Sequence, residues 1–380
     1  MKILHLINSI GDGGAETQVK NYVLNLDETK FKCAILSENI DLSSANADIL
    51  LRSSVPIYSP FVPKMNIFCK IIQRIQRLLI PKNRRTAYMN WYIQHFIRFY
   101  KPDIIHAHLQ MLRYLLPLTD RLMGVKIFYR CASEPSRFFN YDTELASMEY
   151  DAAKYLIKNN GLQMIALHSE MRDALNALFG IKNTLIIHNI IDLKKFQPSS
   201  SVDKNEIRQQ LGIPFDAFVI GHNGRIDVVK NHQFLIDVFD YVAKVNPKAY
   251  LMMIGYGDFT DVIAKIDAYG LSKRYLRLKG RKDVNDLLKA MDVFVFPSLF
   301  EGMPNALIEA QAAGLKCIAS SGITNEAIIS SKTIQMDLKA GAKAWADKII
   351  ADEFEGTPQS DIQSFEISNV LKQVENLYLS

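Results

Sequence analysis

At 380 residues, 48% hydrophobic and 22% charged, the chain is too long for one ordinary core and predicts two domains of roughly 150–200 residues each. No apolar run approaches the ~20 residues that span a bilayer, and the four scattered cysteines form no C-x-x-C pair, which argues against a disulfide framework or zinc site and suits a reducing cytoplasm. Net charge is +5 but uneven: from Ile49 to Pro102 there are ten Lys or Arg and no acid, so this stretch carries +10 and the remainder −5.

The first element is "KILHLIN". The N-terminal stretch containing it is too short, and too polar at His5 and Asn8, for a leader, so it reads as a strand. Strands are predicted next at "KCAILS", "VPIYSP", "DIIHAHL", "KIFYRCA", "MIALHS" and "TLIIHNI". Between the third and fourth of these, "KMNIFCKIIQRIQRLLI" places Phe68, Ile71, Ile72, Ile75, Leu78 and Leu79 at helical spacing, with Lys70, Arg74 and Arg77 on the other face. This is a basic amphipathic helix, and "PKNRR" extends its charge. An ordinary solvated face mixes signs, so residues 64–85 are expected to meet an anionic membrane surface rather than only water. The polar break "KKFQPSSSVDKNE" separates this half from a second series of strands, "AFVIGHNG", "AYLMMIG", "YLRLKG", "DVFVFPS", "KCIASS" and "TIQMDL". The closing segment carries Phe365, Ile367, Val370, Leu371, Val374 and Leu377 at helical spacing. Short apolar strands alternating with helices mean parallel βαβ units, and two series mean two doubly wound Rossmann-like domains facing a central cleft. The expected boundaries are 1–195, 196–363 and a closing helix at 364–380.

In open parallel sheets ligands bind beyond the carboxyl ends of the strands, so the residues after each strand carry the chemistry. After the first strand, Gly13 and Gly14 in "IGDGGAET" allow close backbone approach and offer N–H groups to phosphate or sugar oxygens. A dinucleotide fingerprint with Glu38 as the ribose carboxylate is the rival reading, but Glu16 stands where its third glycine belongs. A tight turn without ligand stays open too. His106 and His108 share a strand face; a pair two apart can bind metal, yet no third ligand is evident beside them. In "HNGRIDVVKN", Arg225 and Lys230 follow Gly224; a guanidinium with an ammonium near a helix start is how a protein holds a diphosphate. Gly255, Gly257 and the backbone at Arg281 form either a slot for a nucleobase or ordinary turns. In "FEGMPNALIEAQAAG", Pro304 suits the first helical position and Gly314 the stop. Glu301 precedes this helix start and Glu309 lies about a turn and a half inside it, so two carboxylates bracket anion-binding amides.

These residues resemble a retaining GT-B glycosyltransferase of glycosyltransferase family four. "GGAE", "GR" with "KN", "PSLFEGMPNALIEAQAAG" and "SSGITNE" fall in that family's order, and the E-x7-E pair Glu301 and Glu309 is the most specific element. The resemblance implies Arg225 and Lys230 on the donor diphosphate, Glu309 on the ribose, and Glu301 with the amides of Gly302, Met303, Pro304 and Asn305 around the donor sugar (Pro304 offering no N–H of its own). It implies His108 near the reacting carbon. Glu16 and Arg130 are assigned to the acceptor side. It implies metal independence, in keeping with the absence of any D-x-D. The expected activity is transfer of a hexosyl unit from a nucleotide diphosphate sugar, UDP-linked, to an acceptor hydroxyl of a lipid-linked or surface-polysaccharide glycan. No cofactor and no nucleic acid are expected, and the place is cytoplasmic, peripheral on the inner membrane face. Alternatives are a nucleotide-sugar epimerase of the same fold, an NAD-dependent oxidoreductase and a glycan-binding pseudoenzyme.

Overall fold

The computed structural model of this chain describes residues 1–60, 85–139, 142–197, 204–281 and 283–380. The amphipathic stretch expected within 64–85 lies almost wholly outside the described residues. Val/Ile/Leu-rich runs of four to nine residues cannot be satisfied by one buried face, so they pair in parallel and take helices on both sides. Contacts divide the chain into two units, Met1–Ile190 with Val370–Ser380, and Ile191–Asn369. The short helical turn at Leu193–Phe196 therefore falls with the second unit rather than the first.

The first unit holds β1 (Lys2–Ile10), β2 (Lys32–Ile40), β3 (Ile57–Tyr58), β4 (Ile104–His108), β5 (Lys126–Arg130), β6 (Gln163–Ala166) and β7 (Leu185–Ile186) in the order β3-β2-β1-β4-β5-β6-β7. Its helices include α1 (Gly14–Asn25), α2 (Ala45–Arg52), α3 (Arg85–Tyr100), α4 (Glu144–Asn160) and α5 (Ser169–Phe179). Ile7, Ile10, Val19, Val23, Ile35, Ala47 and Leu50 pack α1 and α2 against β1 and β2. The chain runs from β1 outward to β2 and later returns to the other side of β1 as β4, so β1/β4 is the point where strand order reverses.

The second unit orders β8 (Phe218–Asn223), β9 (Ala249–Ile254), β10 (Tyr275–Leu278), β11 (Val293–Phe296), β12 (Lys316–Ser320) and β13 (Thr333–Met336) as β10-β9-β8-β11-β12-β13. Here the reversal lies at β8/β11. Helices α6 (His232–Val245), α7 (Asn305–Ala312) and α8 (Gly341–Ala351) cover it, and Leu235, Phe239, Val293, Val295 and Trp345 join one apolar core. Every run read as a strand from the sequence is a strand.

The last helix, α9 (Ile367–Leu379), buries Val370, Leu371, Val374 and Tyr378. Tyr378, not Leu377, completes the buried stripe, because its ring packs on Phe31 and Phe128 while its hydroxyl meets His106 Nδ1 at 2.6 Å. These partners all belong to the first unit.

Candidate active site

In the second unit the loops after β8 and β11 meet at the strand-order reversal. Leu299 N–H donates to the Val229 carbonyl at 2.8 Å and ties them together. Lys230 Nζ reaches across to Glu301 Oε1 at 2.6 Å, and its ammonium lies 5.1 Å from the centre of the Phe296 ring. The pair is mostly sheltered, with side chains 21% and 15% exposed. Arg225 is far more open and is steadied by Asp227 Oδ2 at 2.7 Å. Asp227 itself caps the following turn, and the Val229 N–H, with Arg225, holds its carboxyl below the usual range.

Two histidines that the sequence reading passed over underlie this loop. His222 is fully buried, and its Nδ1–H donates to the Val295 carbonyl at 2.8 Å, so the bare Nε2 faces Gly224. His232, at the start of α6, meets it edge to face at 4.7 Å between ring centres. Burial pushes His222 well down and His232 down to about 4, with Lys230 adding to the second, so both are neutral near pH 7. The signal was present: both flank Arg225 and Lys230 in "GHNGRIDVVKNH".

Gly224, Gly255 and Gly257 form one packed seam. Gly224 N–H and Ile226 N–H donate to Ile254 O and Tyr256 O. A Cβ on Gly255 would sit 2.0 Å from the Gly224 carbonyl, and one on Gly257, at φ +125°, 2.8 Å from Ile226 Cβ. These glycines are required by loop-on-loop packing inside the fold. Arg281 is held by both oxygens of Asp283, at 2.8 and 2.6 Å. Beside it Tyr256 lies over Gly280, where a Cβ would meet its ring at 1.8 Å, and remains 44% exposed; an aromatic ring in a turn gives no periodic signal.

The helix after β11 begins one residue later than expected. Pro304 is its cap, with φ −81° and ψ 87°, and its carbonyl accepts from Leu307 and Ile308. Gly302, Met303 and Pro304 are buried, Asn305 is half-buried, and Glu309 is half-buried in the second turn. Gly314, at φ +80°, follows the helix end.

In the first unit Asn8, near the end of β1, ties that strand to the loop after β4: its Oδ1 accepts from Gln110 N–H at 2.9 Å. Gly13 caps α1, and the Glu16 carboxylate folds over it: a Cβ on Gly13 would lie 2.3 Å from Glu16 Oε2. Glu16 Oε1 also accepts from Ser9 at 2.9 Å. The positive end of α1 thus already carries an internal carboxylate, which repels a phosphate and suits a hydroxyl donor.

The third histidine that the sequence does not mark as a site residue is His5, which there only interrupts an apolar run. The β1/β4 register sets it beside His106, and ring nitrogens of His5, His106 and His108 all lie within 4.8 Å of one another. The rings stack, with centres 4.4–5.5 Å apart and planes tilted by 21–30°. His5 Nδ1 and His108 Nε2 share a hydrogen bond at 3.3 Å. Stacked rings aim their lone pairs side by side rather than at one point, and one pair of nitrogens is already spent on each other. Burial lowers all three, His5 to about 3, and the Arg130 charge adds to this at His106 and His108. This donor set fits a neutral aromatic stack better than a cation.

Arg130 follows on the same face. It is 1% exposed, hydrogen-bonds Asn189, and has no carboxylate partner among the described residues. It therefore touches a ligand only if its cover moves. Glu38, the rival ribose acid, is engaged: Arg113 bridges it to the buried Glu149 at 2.9 Å on each side, and Tyr114 also bonds it. Burial raises Glu149 to about 7 despite Arg113.

Residues 217–351 match the family model described as glycosyl transferases group 1. The chain is 28% identical over 371 residues to the putative glycosyltransferase EpsF of Bacillus subtilis (strain 168), spanning 95% of this chain and 90% of that one. Over 299 residues it is 26% identical to the UDP-Gal:alpha-D-GlcNAc-diphosphoundecaprenol alpha-1,3-galactosyltransferase of Escherichia coli, covering 73% and 76% of the two. Its fold resembles Anabaena Alr3699/HepE, solved with UDP and glucose, with a TM-score of 0.78 at 19% identity over 100% of both chains. The resemblance to GT-B glycosyltransferases and the two-domain Rossmann-like fold are therefore borne out.

Proposed function

We propose that this chain is a glycosyltransferase that moves a hexosyl unit, with retention and without a metal, from a UDP-linked sugar to a hydroxyl of a lipid-linked or surface-polysaccharide glycan. The observation that carries the reading is the Lys230–Glu301 contact of 2.6 Å at the β8/β11 reversal. It joins the cation suited to a diphosphate to the carboxylate suited to sugar hydroxyls. The relatives support the class of reaction, and the UDP of the Anabaena complex with the UDP-Gal named for the Escherichia coli enzyme supports uridine.

In this reading Glu309 accepts from the ribose hydroxyls. Glu301 accepts from the donor sugar, and Arg225, Lys230 and the start of α7 face the diphosphate. The acceptor oxygen attacks the anomeric carbon as the bond from that carbon to the diphosphate oxygen breaks. The leaving diphosphate takes the electron pair, and the acceptor proton passes to it on the same face. Charge grows on the β-phosphate, so fixed positive groups there stabilise the transition state most. In this reading Glu16 serves the acceptor, and His108 and Arg130, each 1% exposed, serve the reacting carbon and the acceptor once what covers them moves. An acid-free run of this size supports a peripheral position on the inner membrane face; among the described residues no helix is long and apolar enough to cross a membrane.

The test is incubation of the full chain with a panel of nucleotide sugars in EDTA. A donor at ~100 times its dissociation constant adds about 2.7 kcal/mol of stability, readily seen in a melt. Turnover with acceptor, giving the donor's anomeric configuration by NMR, is the expected result. Epimerised donor without acceptor, or reduced NAD in the purified protein, overturns it.

A further inference from the structure

Helix α3 has two faces of opposite kind. Inward lie Met89, Ile93, Phe96 and Ile97, each at most 8% exposed. Outward, within about 100° of the helical wheel, lie Tyr88, Trp91, His95, Arg98 and Phe99. Phe99 is 81% exposed and Trp91 53%. Trp91 stacks with Tyr88 at 5.9 Å and lies tilted against His95 at 4.3 Å, so these three rings form one continuous surface instead of scattered apolar residues. No acid occurs anywhere on α3, and Lys101 follows its end.

A merely solvated helix face mixes acids, bases and amides. Within this arc the face carries aromatic rings and bases, with the exposed Ala87 and half-buried Gln94 at its edge and no acid. Trp and Tyr, apolar in body and polar at one edge, settle at the headgroup level of a bilayer, while Arg and Lys attract anionic lipid. We propose that the outward face of α3 is a membrane-docking surface, with Trp91 and Phe99 entering the interface of an anionic bilayer and Arg98 contacting its headgroups. The inference extends the proposed function, whose acceptor is lipid-linked, but it stands on this face alone and is read without turnover.

The chain contains two tryptophans, and the other, Trp345, is fully buried. Any change in emission on adding vesicles therefore reports Trp91. The full chain is mixed with vesicles of phosphatidylcholine alone, or with 30 mol% phosphatidylglycerol, each with and without brominated lipid. The expected result is a blue shift and quenching with the anionic vesicles, reversed by salt as screening shortens the attraction. Trp91→Ala with Phe99→Ala should weaken sedimentation with these vesicles at least ~tenfold, since each ring moved out of water contributes a factor of that order. Arg98→Gln should weaken it less and only where anionic lipid is present. An unaltered thermal melt and unaltered turnover of a short soluble acceptor confirm that the variants fold.

Co-sedimentation without quenching of Trp91 overturns the proposal, because another surface then binds. So does equal binding to neutral vesicles, absence of binding, or a double variant that converts a dimer to a monomer in sedimentation velocity. Failure of every nucleotide sugar to stabilise the protein would sink the donor reading and leave the vesicle result intact.

Discussion

Replacing Glu301 by Gln tests how the candidate donor site divides its work. The carboxylate accepts from Lys230 Nζ at 2.6 Å in a place where both side chains are largely sheltered. A hydrogen bond between charged groups contributes about 1.5–3 kcal/mol, and Gln keeps an oxygen there, so the ligand-free protein should lose about 1–2 kcal/mol. For a unit of this size that is a fall in Tm of roughly 2–8 °C. Binding of nucleoside diphosphate should go the other way. In the native chain a phosphate competes with Glu301 for Lys230. In the variant it does not, so UDP should bind as well as before or up to about tenfold tighter, equivalent to ~1.4 kcal/mol. Transfer should fall about 10–100-fold, since the group assigned to the sugar hydroxyls has lost its charge. Calorimetry with UDP, beside kcat/KM with the sugar donor, separates the two effects. Weakening of UDP by more than about threefold in Glu301→Gln, equal to that in Glu309→Gln, would refute the assignment of Glu301 to the sugar and Glu309 to the ribose.

Lys230→Ala and Arg225→Ala should each weaken donor binding and slow turnover together, with roughly 1.5–3 kcal/mol lost per charged contact; activity within twofold of the native chain in both would end that assignment. Gly255→Ala should destabilise the second unit by more than about 2 kcal/mol in a denaturant titration, because its Cβ would meet the Gly224 carbonyl at 2.0 Å and neither backbone can give way. Gly13→Ala should be milder in stability, since the obstructing atoms are the far end of Glu16, yet should alter acceptor KM by displacing that carboxylate from Ser9. The raised Glu149 carboxyl makes a pH prediction: burial lifts it from 4.5 to about 7, so the folded state keeps a proton that the unfolded chain has lost. Stability should then decline by roughly 2–4 kcal/mol as pH rises from about 4.5 to about 7, and Glu149→Gln should flatten that part of the profile. An identical slope in both proteins would assign the decline elsewhere.

The sequence by itself determined the elements. Each strand is a short run of Val, Ile, Leu and aromatic residues, dense enough in apolar side chains to need cover on both faces, and each is ended by Gly, Pro or a polar turn. That signal is local, so it survives in the chain order of "KILHLIN" or "DVFVFPS". It determined the E-x7-E junction as well, where Pro304 and Gly314 bound one short helix. The helix start was misjudged by one residue because Pro is favoured both at and just before that position. What the tertiary structure alone decided was adjacency. Strand order follows from which side of β1 or β8 the chain returns to, and crossover packing settles that only after the chain has run on from Ile10 to Ile104 or from Asn223 to Val293. Only then does Lys230 meet Glu301, 71 residues away, and only the register of β1 against β4 sets His5 beside His106. The glycines divide along the same line. Gly13, Gly255 and Gly257 stood out in the sequence as places where something approaches closely, but the approaching groups are the Glu16 carboxylate, the Gly224 carbonyl and Ile226, and a backbone preference written in one residue cannot name the partner that three-dimensional packing brings to it.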